Sequence, residues 1–568
     1  MSTRSGTNNE GTPWECLPPT PPRVRSVPGF AMMPLPWLPK ASASLAFPQR
    51  SWPLARGLTT AVLIAAWPLL GCRSAAAPMG WPVPPAPVVQ ADRPVLWVAL
   101  APRLGPGSLA GVEKAPPLLL ESAGEPMELE DAKGRRFTAS RFSLRWRAEA
   151  LAEPLSIRRR VLGPFPSFET AELAATAWRR QGVKGVIAHP ADWEVWAGPE
   201  AAAPPGYQGR VVALQHRQRL GLQLEGPQGL LPLEGPLRLR APSGLRWQGG
   251  VYAGPLRLQA DAYGTWTLVE QVPLERYLLG VVPHEIGVGA PAAALAAQAV
   301  LARTWAVSNQ HRFAADGYHL CADTQCQVYG DPRQASAPVR RAIEATAGRV
   351  LSWRQRPIHA VYHASNGGMA AGFEEAWGGD PLPYLRAFAD GPPPFTAAHP
   401  VPLASADAVG SLLRVGGQGY GADHPRYRWQ RRLDRLQLRR ALGAAASQVG
   451  EPRQLVVLER GASGRAVALA VRGSKGELVL RRDAIRRTLR QLPSTLFTVT
   501  PEGPGVWRFD GGGFGHGAGL SQAGAMDLAR REWPVERILD HYYPGTTLAP
   551  LPGLRFGGPA AGSAERGL

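Results

Sequence analysis

One carboxylate stands out in "VVPHEIGVGAPAAALAAQAVLARTWAVS", residues Val281–Ser308. Glu285 has Val281, Val282 and Ile286 as apolar neighbours and precedes an alanine-rich helix opened by Pro291. Burial among such neighbours raises a carboxyl pKa and keeps its proton, which is what a general acid requires. The other reading is a salt-bridged carboxylate at the entrance of that helix, where the positive end of the helix dipole favours a negative charge. "HEIGVG" is not a zinc-protease pattern, because no second histidine follows at helical spacing. Arg303, in "LARTWA", can bind a carboxylate bidentately, either from a sugar or from the protein itself as an ordinary buried ion pair.

Three more stretches carry reactive side chains. "CADTQC" places Cys321 and Cys326 with four residues between them. A short disulfide, a four-ligand metal site completed by His311 and His319, and free thiols are all open on spacing alone. "VYHASNGG" holds Tyr362, His363, Ser365 and Asn366 before a tight turn. "GGGFGHGAGLSQAG" holds His516, Ser521 and Gln522. That loop lacks the Gly-Lys-Ser/Thr ending of a phosphate-binding loop, and Ala518 breaks the dinucleotide spacing. His516 is either a ligand contact or part of a structural turn, and Ser521 can cap the helix that follows. Neither Ser365 nor Ser521 lies in a GxSxG elbow, so neither is expected as a nucleophile.

The elements that must position these residues are short. The pattern predicts an α+β fold, with strand-rich mixed sheets and several short helices, preceded by a small α/β module. At 568 residues the chain is too long for one core. Residues 1–92 read as leader, signal segment and Pro/Ala-rich linker, 93–205 as a small module, 206–553 as the main domain and 554–568 as a tail. Within the module, Ser167 is a candidate N-cap for a helix over Phe168–Gln181 that Gly182 ends, followed by strands at Val183–Ala188 and Trp193–Ala197. That stretch resembles half of a sporulation-related (SPOR) repeat, a peptidoglycan-binding module.

The formal charge of +19 favours polyanionic partners such as an acidic wall polymer. No basic helix with interleaved aromatics and no zinc-finger spacing is present, so nucleic acid is not expected. Arg50 and Arg56, the apolar run Leu58–Leu70 and the small residues after it have the order of a secretory signal. "LLGC" offers Cys72 as a lipidation candidate. Export to the periplasm or cell envelope is therefore expected, with membrane contact only through the signal segment or a lipid anchor.

Taken together, the ordered blocks resemble the family of stage II sporulation protein D and the amidase enhancer LytB. They are "GTWTLVEQVPLERYLLGVVPHEI", "PAAALAAQAVLARTWAVS", "CADTQCQVYGD", "YHASNGG", "AIRRTLRQLPSTLF" and "GFGHGAGLSQAGAMDLA", within roughly residues 250–550. The resemblance implies a peptidoglycan lytic transglycosylase acting on glycan strands stripped of stem peptides, with Glu285 in the catalytic position. It places Arg303 near Glu285, and Tyr362, His363, Ser365, His516, Ser521 and Gln522 along the glycan groove. A non-catalytic enhancer that binds glycan and stimulates a cell-wall amidase is the alternative it carries. No cofactor is required. Zinc occurs near the cysteine pair in some family members, and Gln325, standing where a ligand is wanted, argues against it here.

Overall fold

The computed structural model describes residues 77–414 and 417–555. The signal segment, Cys72 and the end of the tail lie outside them. Among the described residues no helix is long and apolar enough to cross a membrane.

Two antiparallel-rich sheets share the main core. A seven-stranded sheet runs, in spatial order, Leu320–Cys321, Val95–Leu104 (β1), Trp266–Pro273, Leu256–Ala260, Leu237–Arg240, Met127–Glu130 and Arg136–Ala139. The strands alternate as one-sided sheets must: Leu237 and Leu239 are buried, while Arg238 and Arg240 between and beyond them face out. In the second sheet Arg141–Phe165 pairs with Gly209–Gly226 from Leu144↔Leu224 to Leu162↔Gly209, with a bulge between Ala150 and Leu155. The boundary expected at residue 205 therefore falls inside one continuous sheet, and a single core takes in residues from Val89 to Leu551. The stretch expected as a linker is held against this body: Trp81 N–H donates to Ala262 O at 3.0 Å and His319 Nε2 pairs with Pro87 O at 2.8 Å. A second hydrophobic core gathers Trp429, Leu433, Leu469, Phe497 and Phe509.

The sheet fixes where the helices begin. Strand Trp266–Pro273 pairs with β1 in the register Val95↔Pro273 and runs directly into helix α2, Leu274–Glu285. Leu274 N–H still donates to Pro94 O at 2.9 Å, and Pro273 is the N-cap from which the helix opens, where its missing N–H costs the helix no bond. Helix α3, Ala292–Ser308, is apolar on every side and buried along nearly its whole length, as a central helix must be.

Arg303 does not stand where the resemblance places it. It is 0% exposed and donates to Glu275 at the start of α2, through Nε at 2.8 Å and Nη2 at 2.6 Å, and to Arg349 O at 3.0 Å. It does not accompany Glu285. Residues two apart on a helix point about 200° apart, so with Trp305 on the cleft, Arg303 faces away from it. Arg303→Ala should lower the unfolding free energy by about 3 kcal/mol, because buried carbonyls lose their donor. Arg303→Lys, which cannot fork, should recover only part of this. Urea denaturation midpoints measure both.

Candidate active site

Glu285 is the last residue of α2, not a residue at the entrance of α3. Pro283 interrupts the last turn and Gly287, at φ 86°, carries the chain away. The carboxyl thus sits at the negative end of the α2 dipole, which disfavours ionisation. Burial pushes its pKa up to about 7, opposed by two hydrogen bonds: the Val328 N–H donates to Oε1 at 2.7 Å and the Tyr362 hydroxyl donates to the carboxylate. No cation contributes to that balance.

The donors reach Glu285 because α2 docks closely against residues 327–331. At Gly280 an added Cβ would stand 2.4 Å from the Tyr329 ring and 2.6 Å from Gly330 O, so only glycine permits the approach. Gly330 N–H then donates to Gly280 O at 3.0 Å. Behind the carboxyl runs a chain of donors: Tyr277 Oη donates to Gln327 Oε1 at 3.2 Å, and Gln327 Nε2 donates to Tyr362 Oη at 2.8 Å. With its lone pair taken, the Tyr362 hydroxyl has its proton left for Glu285.

Cys321 and Cys326 are disulfide-linked, with Cα atoms 5.6 Å apart, and close the loop just before Gln327 and Val328. The metal alternative does not fit these residues. His319 uses both ring nitrogens, Nδ1 accepting from Trp97 N–H at 2.9 Å and Nε2 engaging Pro87 O. His311 lies beside Glu172. Among the described residues no group of three or more His, Cys, Asp or Glu is placed to hold a metal.

Glu285 opens on a cleft of about 230 Å³. Phe168 and Glu169 at the start of helix α1, Phe168–Arg180, supply one wall, and Ser167 caps that helix. Trp305, Arg312 and the loop 324–328 supply another, and Tyr362, Trp377, Asp483, Arg486, Arg487 and His516 complete it. Of the residues expected on the groove, Tyr362 and His516 line the cleft. His516 is held by its Nε2–H to Tyr362 O at 2.9 Å, and burial pushes its pKa down to about 4. The glycine loop makes this possible: at Gly519, φ 70°, a Cβ would meet Val361 O at 2.1 Å.

The others stand behind the cleft. His363 is buried, with Nδ1 paired to Ala518 O at 3.1 Å. Ser365 is 1% exposed and accepts from Gly367 N–H, and Ser521 is 0% exposed and caps helix Gln522–Arg530 through Gly524 N–H at 3.2 Å. These two hydroxyls build turns and have no access to a groove. Gln522 positions the acid: its Nε2 donates to the Glu285 backbone carbonyl at 3.0 Å and to Gln298 Oε1 at 3.2 Å. Sequence reasoning missed Gln327 and Val328, although both sit in the quoted block "CADTQCQVYGD". It also missed Phe168, Glu169, Arg312 and Trp377, for which nothing local gave a sign.

Two other carboxylates line the cleft, and both are engaged. Glu169 pairs with Arg312, which holds its pKa down to about 2 against the opposing effect of burial. Asp483 pairs with Arg486 and Arg487. Of the three carboxyl groups on the cleft, Glu285 is the one without a cationic partner, and burial lifts its pKa to about 7.

Residues 262–353 match the family described as Stage II sporulation protein (SpoIID), and residues 371–519 match a domain of unknown function. The chain is 28% identical over 300 residues to "Stage II sporulation protein D" of Bacillus subtilis, covering 50% of this chain and 76% of that protein. It is likewise 28% identical over 307 residues to the protein of the same name from Bacillus amyloliquefaciens, covering 50% and 75%. Identity to the "Amidase enhancer" of Bacillus subtilis is 27% over 303 residues, covering 48% of this chain and 40% of that one.

The raised pKa of Glu285 has a sign that can be measured. Between the ordinary carboxyl range and about pH 7 the folded chain keeps a proton that the unfolded chain has lost, so stability falls as pH rises through that window. Glu285→Gln carries no such proton. It should gain on the wild type between pH 4.5 and pH 8, by about 3 kcal/mol at the limit, in denaturation series at each pH. Tyr362→Phe removes a donor to the carboxylate and should raise the Glu285 pKa further, read by carbon-13 NMR of labelled glutamate.

Proposed function

We propose that this chain, a SpoIID-family protein, is an exported lytic transglycosylase that cuts peptidoglycan glycan between N-acetylmuramic acid and N-acetylglucosamine. The observation that carries the reading is a single buried carboxyl without a cationic partner, in a cleft whose other carboxylates are locked in ion pairs. A hydrolase needs a second free carboxylate, as base or nucleophile. Ring closure needs none.

In this reading protonated Glu285 gives its proton to the bridging oxygen as the C1–O4 bond breaks, and the N-acetylglucosamine leaves with a 4-hydroxyl. The resulting carboxylate takes the proton of the muramic C6 hydroxyl, and O6 bonds to C1 to close a 1,6-anhydro ring. O6 closes on the face that the leaving oxygen vacated, so an in-line displacement is ruled out. Positive charge at C1 must be carried between the two steps, as an oxocarbenium-like centre or by the neighbouring acetamido oxygen. One carboxyl on one face then serves both proton transfers, and a pKa near 7 suits a group that must give and take. Tyr362 and Val328 N–H stabilise the carboxylate between the steps. The cationic balance of +19 suits a wall polymer, and a disulfide suits the oxidising space outside the cytoplasm.

The similarity to an amidase enhancer supports a second reading, in which the protein binds glycan without cutting it. Purified protein would then release no anhydro-muropeptides but would accelerate a cell-wall amidase. On the catalytic reading, mass spectrometry of digested glycan shows anhydro products, and Glu285→Gln abolishes them while retaining binding. Turnover should fall above about pH 7, approaching tenfold per pH unit, because the acid must enter protonated. An active Glu285→Gln protein removes Glu285 from the chemistry.

A further inference from the structure

Part of the cleft wall is the short helix Asp483–Thr488, in the stretch matched to the domain of unknown function. Both oxygens of buried Asp483 are taken: Oδ1 accepts from Arg486 Nη2 at 3.3 Å and Oδ2 from Arg487 Nε at 2.6 Å. Among the described residues neither arginine pairs with another carboxylate. Two guanidiniums share one negative charge, so this wall has a surplus positive charge. The cleft's third arginine, Arg312, is matched by Glu169.

The surplus is presented to the cleft. The Arg487 side chain is 37% exposed and uses only Nε on Asp483, which leaves Nη1 and Nη2 for an incoming planar anion. The surplus is also kept off the acid. Arg486 acts on His516, helping to hold that ring neutral, while Glu285 shows no cationic influence. An anion can therefore dock in the same cleft without any guanidinium depressing the Glu285 pKa.

The bare glycan carries one ionisable group per disaccharide, the lactyl carboxylate on the muramic 3-oxygen. When a stem peptide is attached that carboxyl is an amide and has no charge to offer. We propose that Arg486 and Arg487 form an anion subsite that reads the free lactyl carboxylate, and so select strands from which peptides have been removed by charge rather than by size. This rests on the reading of the cleft as a glycan-cleaving site.

The test uses the full chain and two substrates: denuded glycan, and the same glycan with its lactyl carboxyls converted to methylamides. The wild type should lose about tenfold or more in kcat/KM on the amidated strand. Arg486→Gln and Arg487→Gln each leave Asp483 one partner. Each should lose a comparable factor on the native strand, mainly in KM, and show a smaller loss on amidation, with Arg487→Lys recovering part. Cleavage with no dependence on the lactyl charge, or variants equally impaired on both strands, overturns the subsite and leaves the catalytic reading standing. If the wild type cuts neither strand, the catalytic reading fails. Affinity of the two strands for wild type and variants then decides the subsite alone: a preference for the free carboxylate that the variants lose supports it, and equal affinities overturn it.

Discussion

A carboxyl placed at the end of a helix and shielded from water resists ionisation on two counts, the helix dipole and the loss of solvation. At Glu285 the Val328 N–H and the Tyr362 hydroxyl stand against both, and the balance settles near neutrality. Much of the surrounding structure holds that balance in place. The register of β1 with strand Trp266–Pro273 sets where α2 starts and therefore where it ends. The close approach at Gly280 and the disulfide loop bring Val328 and Gln327 to the carboxyl. Gln522, from a helix more than two hundred residues later, holds the Glu285 backbone carbonyl.

The cleft is a place where charge is kept in separate accounts. Arg312 with Glu169, and Arg486 and Arg487 with Asp483, line the same space as Glu285 yet leave its proton alone. A guanidinium beside Glu285 would have made it an ordinary ionised carboxylate, and a free carboxylate beside it would have pushed its pKa higher still. Separation of this kind lets one cavity offer both an acid and a cationic surface.

Several polar residues that look reactive serve the scaffold. Arg303 ties α2 to α3 and to the carbonyl of residue 349, Ser521 caps a helix, and Ser365 closes a turn. Each is almost wholly buried, and each satisfies backbone or side-chain groups that would otherwise be stranded. Deep burial of polar side chains around a functional cleft is what keeps the cleft's own few groups fixed in direction.

The sequence by itself determined the α+β character, the alanine-rich central helix, the Ser167-capped helix and the apolar setting of Glu285. These depend on local periodicity, on capping chemistry and on an acid surrounded by apolar residues. It left open whether the cysteines bind each other or a metal, and one of its two readings set Glu285 at the entrance of α3, whereas it is the last residue of α2, whose last turn tolerates Pro283. Only the tertiary structure decided which side of α3 faces the cleft, and so that Arg303 is remote while Trp305 is near. Only it brought Phe168, Glu169, Arg486 and Arg487 to the same cavity. Contacts between residues hundreds of positions apart leave no mark on local pattern, since each wall forms for its own local reasons and meets the others only when the sheets and the central helix pack.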